Sequence, residues 1–155
     1  MLPPELKQRV RASFDRAAET YDSAAVVQRR VCDRLLDILA MPAPSTILDA
    51  GCGTGYGAGL LRARWTQAEI VGVDFAPSML EQARALLDRG AAGDIEHLPF
   101  ADASFDLWWS SLTIQWCLAA HVFAEARRVL RPGGRLALST LASDTFHELR
   151  EAFAG

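Results

Sequence analysis

The chain has 155 residues, of which 50% are hydrophobic and 23% charged, and its formal net charge is -3. This composition excludes a disordered chain and is typical of a folded domain with an apolar core. Lys7 is the only lysine, and its place near the N-terminus argues against both a P-loop and a Schiff-base enzyme. The remaining basic residues are arginines scattered along an acidic chain, so no nucleic-acid partner is expected.

The cysteines and the charge pattern favour a cytoplasmic protein. Cys32, Cys52 and Cys117 form no CxxC pair and are odd in number, which fits a reducing compartment. The histidines are isolated, so no metal site is expected. Residues 1–15 carry charges every few positions and do not resemble a signal peptide. The longest stretch without Lys, Arg, Asp or Glu, Leu107 to Ala124, is too polar to span a membrane.

The first forty residues predict helices. A polar, arginine-rich helix ends at Phe14 to Ala18, and a second helix runs up to a break at Pro42. The second helix is predicted from apolar residues that recur at helical spacing, namely Val26, Val27, Val31, Leu35, Leu36 and Leu39.

From residue 43 onward, short apolar runs alternate with helical patterns. Such alternation predicts an α/β domain in which a mostly parallel sheet carries helices on both faces. The predicted strands are 46–50, 70–74, 91–95, 105–110 and 135–141. The predicted helices are 57–65, a helix from Pro77 through Leu87 that closes near Gly90, 122–130, which stops at the Arg131–Gly134 turn, and 144–153.

A glycine cluster follows the first predicted strand. Gly51, Gly53 and Gly55 alternate with other residues, so the backbone can turn tightly and approach a ligand without side chains in the way. Asp74 ends the second strand, where its carboxylate can accept both hydroxyls of a ribose. The same spacing satisfies a looser form of the dinucleotide fingerprint, so an NAD-type site stays open at this point.

Two further acids favour a different nucleotide. Asp49 lies inside the first strand, immediately before the first glycine, where it could hold an ammonium group; a dinucleotide site would not place an acid beside its pyrophosphate. Asp94 ends the third strand, where it could accept a hydrogen bond from an adenine amino group. Together with Asp74, these residues suit a cofactor that is a sulfonium cation with an α-amino group and no phosphate.

These residues resemble the class I S-adenosylmethionine-dependent methyltransferases. The resemblance extends over 47–141 and includes the Phe105-Asp106-Leu107 strand and the Leu130-Arg131-Pro132-Gly133-Gly134 loop. It implies a Rossmann-like fold with strand order 3-2-1-4-5-7-6 and S-adenosyl-L-methionine as cofactor. The cofactor-binding residues that it implies are Tyr21, Asp49, Gly51, Gly53, Gly55, Asp74, Phe75, Met79, Asp94, Ile95 and Ser111.

Nearly the whole chain is also similar to a narrower family, the malonyl-acyl-carrier-protein O-methyltransferases of biotin biosynthesis. The similarity is carried by Phe14-x-x-Ala17-Ala18-x-x-Tyr21-Asp22, Gly93-Asp94-Ile95-Glu96-x-Leu98-Pro99 and Ser110-Ser111-Leu112-x-x-Gln115-Trp116; Ser111 stands where that family often has Asn. It implies that 1–42 form a helical cap over the cofactor site of 43–155. Its implied acceptor is a malonyl thioester on acyl carrier protein or CoA, contacted by Gln28, Gln115 and Trp116.

A malonyl carboxylate is ionised at neutral pH, because its pKa lies near the value of about 4 of Asp and Glu. We therefore expect no catalytic residue to act as a general base. Two other functions stay open: a methyltransferase acting on a quinone precursor or another carboxylate, and a nucleotide-binding module without catalysis.

The predicted elements supply only the first five of the seven strands of the class I fold. We therefore expect a core that is incomplete at its C-terminus, with the last two strands missing and the fifth strand exposed as an edge. Such an edge invites pairing with another chain, and the oligomeric state is open. We also expect cofactor binding without full activity.

Overall fold

The computed structural model describes residues 3–142 and Thr145. The helix predicted over 144–153 lies outside the described residues. Within them, the helices are α1 (Pro4–Ala17), α2 (Tyr21–Ala24), α3 (Val26–Ile38), α4 (Tyr56–Arg64), α5 (Pro77–Ala83) and α6 (Ala119–Val129). The strands are β1 (Thr46–Ala50), β2 (Glu69–Asp74), β3 (Arg89–Ala92), β4 (Phe105–Ser111) and β5 (Leu130–Ser139). Short 3₁₀ turns cover Arg84–Leu86 and Ile114–Trp116.

The strands form one parallel sheet in the order β3-β2-β1-β4-β5. This confirms the predicted α/β class, and the order matches the first five positions expected from the family resemblance. The order reverses direction between β1 and β4, and ligands of such sheets bind at the carboxyl ends of the strands beside this switch point. The loops after β1, β2 and β4 are therefore the ones that build a site.

The sheet separates two apolar clusters. Trp108 and Trp109 are consecutive in β4 and fully buried, and because side chains alternate along a strand they pack into different clusters. Trp108 packs with Val122 of α6, and Trp109 packs with Leu35 of α3 and Leu61 of α4. Helices thus cover both faces, as predicted. None of the helices among the described residues is long and apolar enough to cross a membrane.

The third strand lies earlier than its sequence pattern predicted. The helix from Pro77 gives way to a 3₁₀ turn that ends at Leu86, and β3 runs from Arg89 to Ala92 instead of 91–95. Gly90, predicted to close the helix, pairs with Gly72 of β2. A Cβ on Gly72 would lie 2.5 Å from the Leu87 side chain, so the glycine at position 72 gives Leu87 room to pack over β2.

The fifth strand begins at Leu130 rather than at Arg135. Phe105 pairs with Leu130 and Leu107 pairs with Arg135, so the turn predicted at 131–134 is a bulge within the strand. Gly133 has a φ of +81°, a conformation that costs glycine no steric strain. After the bulge the strand pairs with β4 again. The period-two pattern of a strand does not reveal such a bulge, so the sequence indicated a turn.

Asp106 joins the beginnings of three strands. Its Oδ2 accepts hydrogen bonds from the backbone N–H groups of Ser45 and Thr46 at 2.9 Å each, and its Oδ1 accepts one from Arg131 Nη1 at 2.9 Å. Partial burial opposes ionisation, but the Arg131 charge and the backbone donors outweigh it and lower the pKa of Asp106. The carboxylate therefore stays charged and fixes the edge of the sheet opposite the site.

We predict that Asp106→Ala lowers the free energy of unfolding by about 2 kcal/mol, because it leaves two backbone donors and a guanidinium without their acceptor. Urea denaturation followed by circular dichroism measures this change. Asp102→Ala is the control: Asp102 also pairs with an arginine, Arg128, but its side chain is 77% exposed. That substitution should cost less than about 1 kcal/mol. Equal losses in both variants would contradict the prediction.

Candidate functional site

Two clefts open at the carboxyl ends of the strands. The wide cleft has an empty volume of about 740 Å³, and the narrow cleft one of about 520 Å³. Of the residues predicted from the sequence, the wide cleft is lined by Tyr21, Gly51, Gly53, Asp74, Phe75, Met79, Asp94, Ile95, Ser111 and Trp116. The narrow cleft is lined by Tyr21, Gln28, Asp49, Gly51, Gly53 and Ser111. The four shared residues make one continuous surface.

The loop after β1 forms the floor of both clefts. Gly51 and Gly53 have φ values of +77° and +53°. A Cβ on Gly51 would lie 2.4 Å from the Thr113 side chain, so only glycine fits there. The N–H groups of Gly51 and Cys52 both donate to the carbonyl of Val73, at 2.8 and 3.0 Å. The loop is thereby bound to the end of β2, with its bare backbone toward the clefts.

Asp74 connects the loops after β1 and β2. Its Oδ2 accepts the N–H of Gly53 and its Oδ1 accepts the N–H of Ala76, both at 2.9 Å. The residue is only 7% exposed, and this burial raises its pKa despite the backbone donors. Each oxygen keeps a further lone pair, so the carboxylate can still accept hydrogen bonds from a ligand in the wide cleft.

Asp49 is an unsatisfied carboxyl group beside the narrow cleft. It is 2% exposed, and within the described part of the chain its Oδ2 has no hydrogen-bond partner. Burial first, and then the charge of Asp74, raise the pKa of Asp49 to about 7. A cation in the narrow cleft would relieve both effects by pairing with the buried oxygen.

Arg29 supplies the opposite charge in the same cleft, and the sequence did not single it out as a ligand. Its guanidinium lies 5.0 Å from the centre of the Tyr56 ring, and its Nη2 is 3.5 Å from Asp22 Oδ1. Its Nε is buried and has no partner among the described residues. The narrow cleft thus presents an unpaired donor and an unpaired acceptor, which is the complement of an amino acid's carboxylate and ammonium groups.

An aromatic group closes the wide cleft. The ring of Phe14 in α1 lies 6.3 Å from the rings of Tyr21 and Phe75 and 6.0 Å from that of Trp116. Burial, reinforced by the charge of Asp74, raises the pKa of Tyr21, so its hydroxyl stays neutral at physiological pH. These rings bring α1, the end of β2 and the turn after β4 together.

Lys7 lies in the wide cleft, where the sequence reasoning did not place it. Its Nζ is 2.5 Å from Asp94 Oδ2 and 2.7 Å from Glu96 Oε1. A signal for this position exists, because Lys7, Val10 and Phe14 have the i, i+3, i+7 spacing of one helix face and all three line the cleft. Because apolar residues are few in this segment, the sequence indicated only a polar helix.

Two of the residues predicted for the site line neither cleft. Gly55 begins α4 with a φ of +92°, and a Cβ there would lie 3.0 Å from Ala83, so it permits close packing of α4 on α5. Gln115 turns back on its own loop: its Nε2 donates to the carbonyl of Leu112 at 2.6 Å, and its Oε1 accepts from the hydroxyl of Thr140 at 3.4 Å. The side-chain amide of Gln115 is thus engaged within the protein.

Comparison with known proteins gives a consistent set of relatives. The family model described as a methyltransferase domain matches residues 48–138. The chain is 54% identical to the malonyl-[acyl-carrier protein] O-methyltransferase of Dechloromonas aromatica, with 96% of the chain and 56% of that protein aligned. It is 52% identical to the enzyme of the same name from Laribacter hongkongensis, over the same shares. The chain therefore spans a little over half the length of these relatives.

Solved structures agree with the fold. A chain of the Haloferax volcanii complex that contains the Trm112 methyltransferase activator superposes with a TM-score of 0.77 at 27% identity, covering 90% of this chain and 66% of that one. A SAM-dependent methyltransferase of Thermotoga maritima, described as a possible histamine N-methyltransferase, superposes with a TM-score of 0.70 at 25% identity. It covers 90% of this chain and 68% of its own. These superpositions support the methyltransferase fold of the chain.

We predict that Asp49→Asn stabilises the free protein. Because the folded-state pKa of about 7 lies above the ordinary aspartate value of 3.8, the wild type is destabilised by its buried charge above pH 7, and this cost disappears as the pH falls towards 4. The variant should gain roughly 2 kcal/mol at pH 8 and much less at pH 5. Thermal and urea unfolding at both pH values measure the gain.

The control for this prediction is Glu81→Gln, which removes a carboxylate whose side chain is 72% exposed. It should leave stability unchanged at either pH. A loss of stability in Asp49→Asn at pH 8, or a gain that is the same at both pH values, would contradict the role given to burial.

Proposed function

The chain belongs to the methyltransferase domain family, and on this basis we propose that its two clefts bind S-adenosyl-L-methionine. The observation that carries the proposal is a pair of atoms beside the narrow cleft, Asp49 Oδ2 and Arg29 Nε, that find no hydrogen-bond partner among the described residues. The amino-acid end of the cofactor carries an ammonium, which could pair with Asp49 Oδ2, and a carboxylate, which could accept a hydrogen bond from Arg29 Nε. A dinucleotide pyrophosphate would instead place negative charge beside Asp49, which disfavours an NAD-type function.

The nucleoside end of the cofactor fits the wide cleft. We infer that Asp74 accepts the ribose hydroxyls, while Phe75 and Met79 contact the faces of the base and Asp94 with Ile95 its edge. Asp74 has unused lone pairs, Met79 is 1% exposed and Ile95 is 4% exposed, so the base would enter an apolar slot with polar groups at its ends. Gly51, Gly53 and Ser111 line both clefts and would flank the point where they join.

We propose that residues 1–42 act as a cap on this site. Among the described residues, α1 contributes Phe14 to the aromatic group, and Tyr21 of α2 lines both clefts. Asp15 fastens the cap, because its Oδ1 accepts hydrogen bonds from the N–H and hydroxyl of Ser78 at 3.1 and 2.6 Å. The cap would hold water away from the cofactor.

For the whole protein, we propose methylation of the free carboxylate of a malonyl thioester on acyl carrier protein or CoA, a step of biotin synthesis. The names of the relatives and the motif Ser110-Ser111-Leu112-x-x-Gln115-Trp116 support this acceptor. Trp116 is 42% exposed beside the wide cleft, and Gln28 lines the narrow one, so both are available to an acceptor. Gln115 would have to release its contacts with Leu112 and Thr140 first.

The proposed methyl transfer needs little acid–base catalysis from the protein. When bound, S-adenosylmethionine supplies an electrophilic methyl group to an acceptor that is already a carboxylate at neutral pH. The side chains around the clefts therefore need to position the acceptor and exclude water, which Phe14, Tyr21 and Trp116 are placed to do. We also propose a cytoplasmic location, in which the free thiols of Cys32, Cys52 and Cys117 stay reduced.

We predict that the protein binds S-adenosylhomocysteine and that Arg29→Met weakens this binding by at least about tenfold, because the carboxylate loses a charged partner. Isothermal titration calorimetry measures both. The matched control is Arg30→Met, which removes the neighbouring charge from an exposed position outside both clefts and should leave affinity unchanged.

A second ligand shows which part of the cofactor Arg29 contacts. Methylthioadenosine has the nucleoside but no amino-acid group, so Arg29→Met should leave its affinity unaltered. Equal weakening of both ligands would mean that Arg29 acts on the fold rather than on the amino-acid group. Binding of NAD without S-adenosylhomocysteine would overturn the proposed function.

The acceptor is tested by methyl transfer from labelled S-adenosylmethionine, with the full-length protein. We expect label on malonyl-acyl carrier protein as a methyl ester that mild base releases, and no label on acetyl-acyl carrier protein, which lacks the free carboxylate. Transfer only to a quinone precursor or to another small carboxylate would keep the methyltransferase assignment and refute the malonyl acceptor.

A further inference from the structure

Lys7 occupies the hydrogen-bonding position that the proposed cofactor needs at Asp94. The two oxygens of this carboxylate are both engaged: Oδ1 accepts the N–H of Glu96 at 2.9 Å, and Oδ2 accepts Lys7 Nζ at 2.5 Å. Asp94 and Lys7 both line the wide cleft, so this contact is made inside the site rather than on a remote surface. An amino group on a base would have to approach the oxygen that the ammonium holds.

The Lys7 ammonium also pairs with a second carboxylate, that of Glu96. Glu96 is 1% exposed, and its Oε1 lies 2.7 Å from Lys7 Nζ and 3.2 Å from the N–H of Leu118. His121 Nδ1 lies 3.4 Å from the other oxygen of Glu96. Lys7 can therefore move away from Asp94 and still compensate the charge of the buried Glu96. Its long side chain permits the small displacement.

We propose that Lys7 and the amino group of the bound base compete for Oδ2 of Asp94, which makes Lys7 a specificity-determining residue of the cofactor site. The proposal rests on the proposed function and adds a residue to it. In the free protein the ammonium stands in for the amino donor and holds α1 on the core. When the base binds, the ammonium transfers to Glu96 alone, and the contact between α1 and Asp94 is lost.

The competition has a consequence for base selection. A base with an oxygen in place of the amino group cannot donate to Asp94 from that position, but its oxygen can accept a hydrogen bond from Lys7. The wild type therefore tolerates such a base, because the ammonium can turn from the carboxylate to the ligand. Without the ammonium, the oxygen would face the carboxylate directly, and their like partial charges would repel.

The experiment compares S-adenosylhomocysteine with S-inosylhomocysteine by calorimetry. The two bases differ in the group at position 6 and in the proton on N1, and because the same two ligands are used with every variant, a change of preference between variants reports on Lys7. In Lys7→Met, we expect the preference for the adenine compound to rise on the order of tenfold over the wild type. The matched control is Arg9→Met, which removes one charge from the same helix at an exposed residue outside the wide cleft. Its preference should equal that of the wild type.

The outcomes separate this proposal from the one that it rests on. Binding of S-adenosylhomocysteine with an unchanged preference in Lys7→Met would overturn the competition and keep the cofactor site. Absence of binding in the wild type and both variants would overturn the proposed function and this inference together.

Removal of Lys7 leaves Glu96 buried without its cation, so the variant is at risk of misfolding, and a measurement on the wild type covers that case. Since Lys7 is the only lysine of this chain, its ammonium gives a single side-chain resonance in ¹⁵N-lysine-labelled protein. We expect its pKa to fall when S-adenosylhomocysteine is added and to fall less with the inosine compound. An equal response to the two ligands would refute the competition.

Discussion

The carboxylate of Asp74 is the interaction on which the clefts depend. It accepts the N–H groups of Gly53 and Ala76 at 2.9 Å each, and so it binds the loop after β1 to the loop after β2. Parallel strands that end at one edge bring these loops near each other, but nothing in the strands themselves sets their separation. A buried carboxylate does so with two directed bonds, and its burial makes those bonds hard to exchange for water.

The cap depends in turn on contacts between distant parts of the chain. Asp15 of α1 accepts two hydrogen bonds from Ser78, and this lowers its pKa, so the contact is kept at neutral pH. Lys7, two helical turns earlier, holds the other end of α1 to Asp94 and Glu96. Phe14 lies between these attachments and meets the rings of Phe75 and Trp116. The closure of the wide cleft is therefore decided by two polar contacts, one of which lies within the cleft.

The buried carboxyl groups of the site destabilise the protein when no ligand is bound. Asp49 and Asp74 are both buried carboxyl groups, burial raises the pKa of each, and the charge of Asp74 adds to the shift at Asp49. Such groups reduce the stability of the free protein at neutral pH, which is usual where binding requires charge. A cationic cofactor would recover that free energy on binding. Arg29 Nε beside them is a buried donor that has no partner within the described part of the chain.

The local pattern of residues predicted most of the fold, and most of the residues predicted for the site line one of the clefts. Continuous apolar strands and alternating glycines are signals within a few residues, and Gly51, Gly53 and Asp74, which they singled out, line the wide cleft. The errors lie where packing across strands decides the geometry. The strand near Gly90 begins two residues before its predicted start because Leu87 packs over Gly72, and Leu130 joins β5 because a bulge absorbs the turn.

By itself the sequence determined the parallel sheet and the acids at its strand ends, because strand period, glycine conformation and chain order are local properties. Only the tertiary structure decided which side chains meet across long separations. Lys7 meets Asp94 from 87 positions away, and Gln115 turns toward Leu112 and Thr140 instead of a cleft. These contacts depend on which hydrogen-bond partners lie within reach of each charged or amide group once the chain has folded. The periodicity of the sequence carries no information about them.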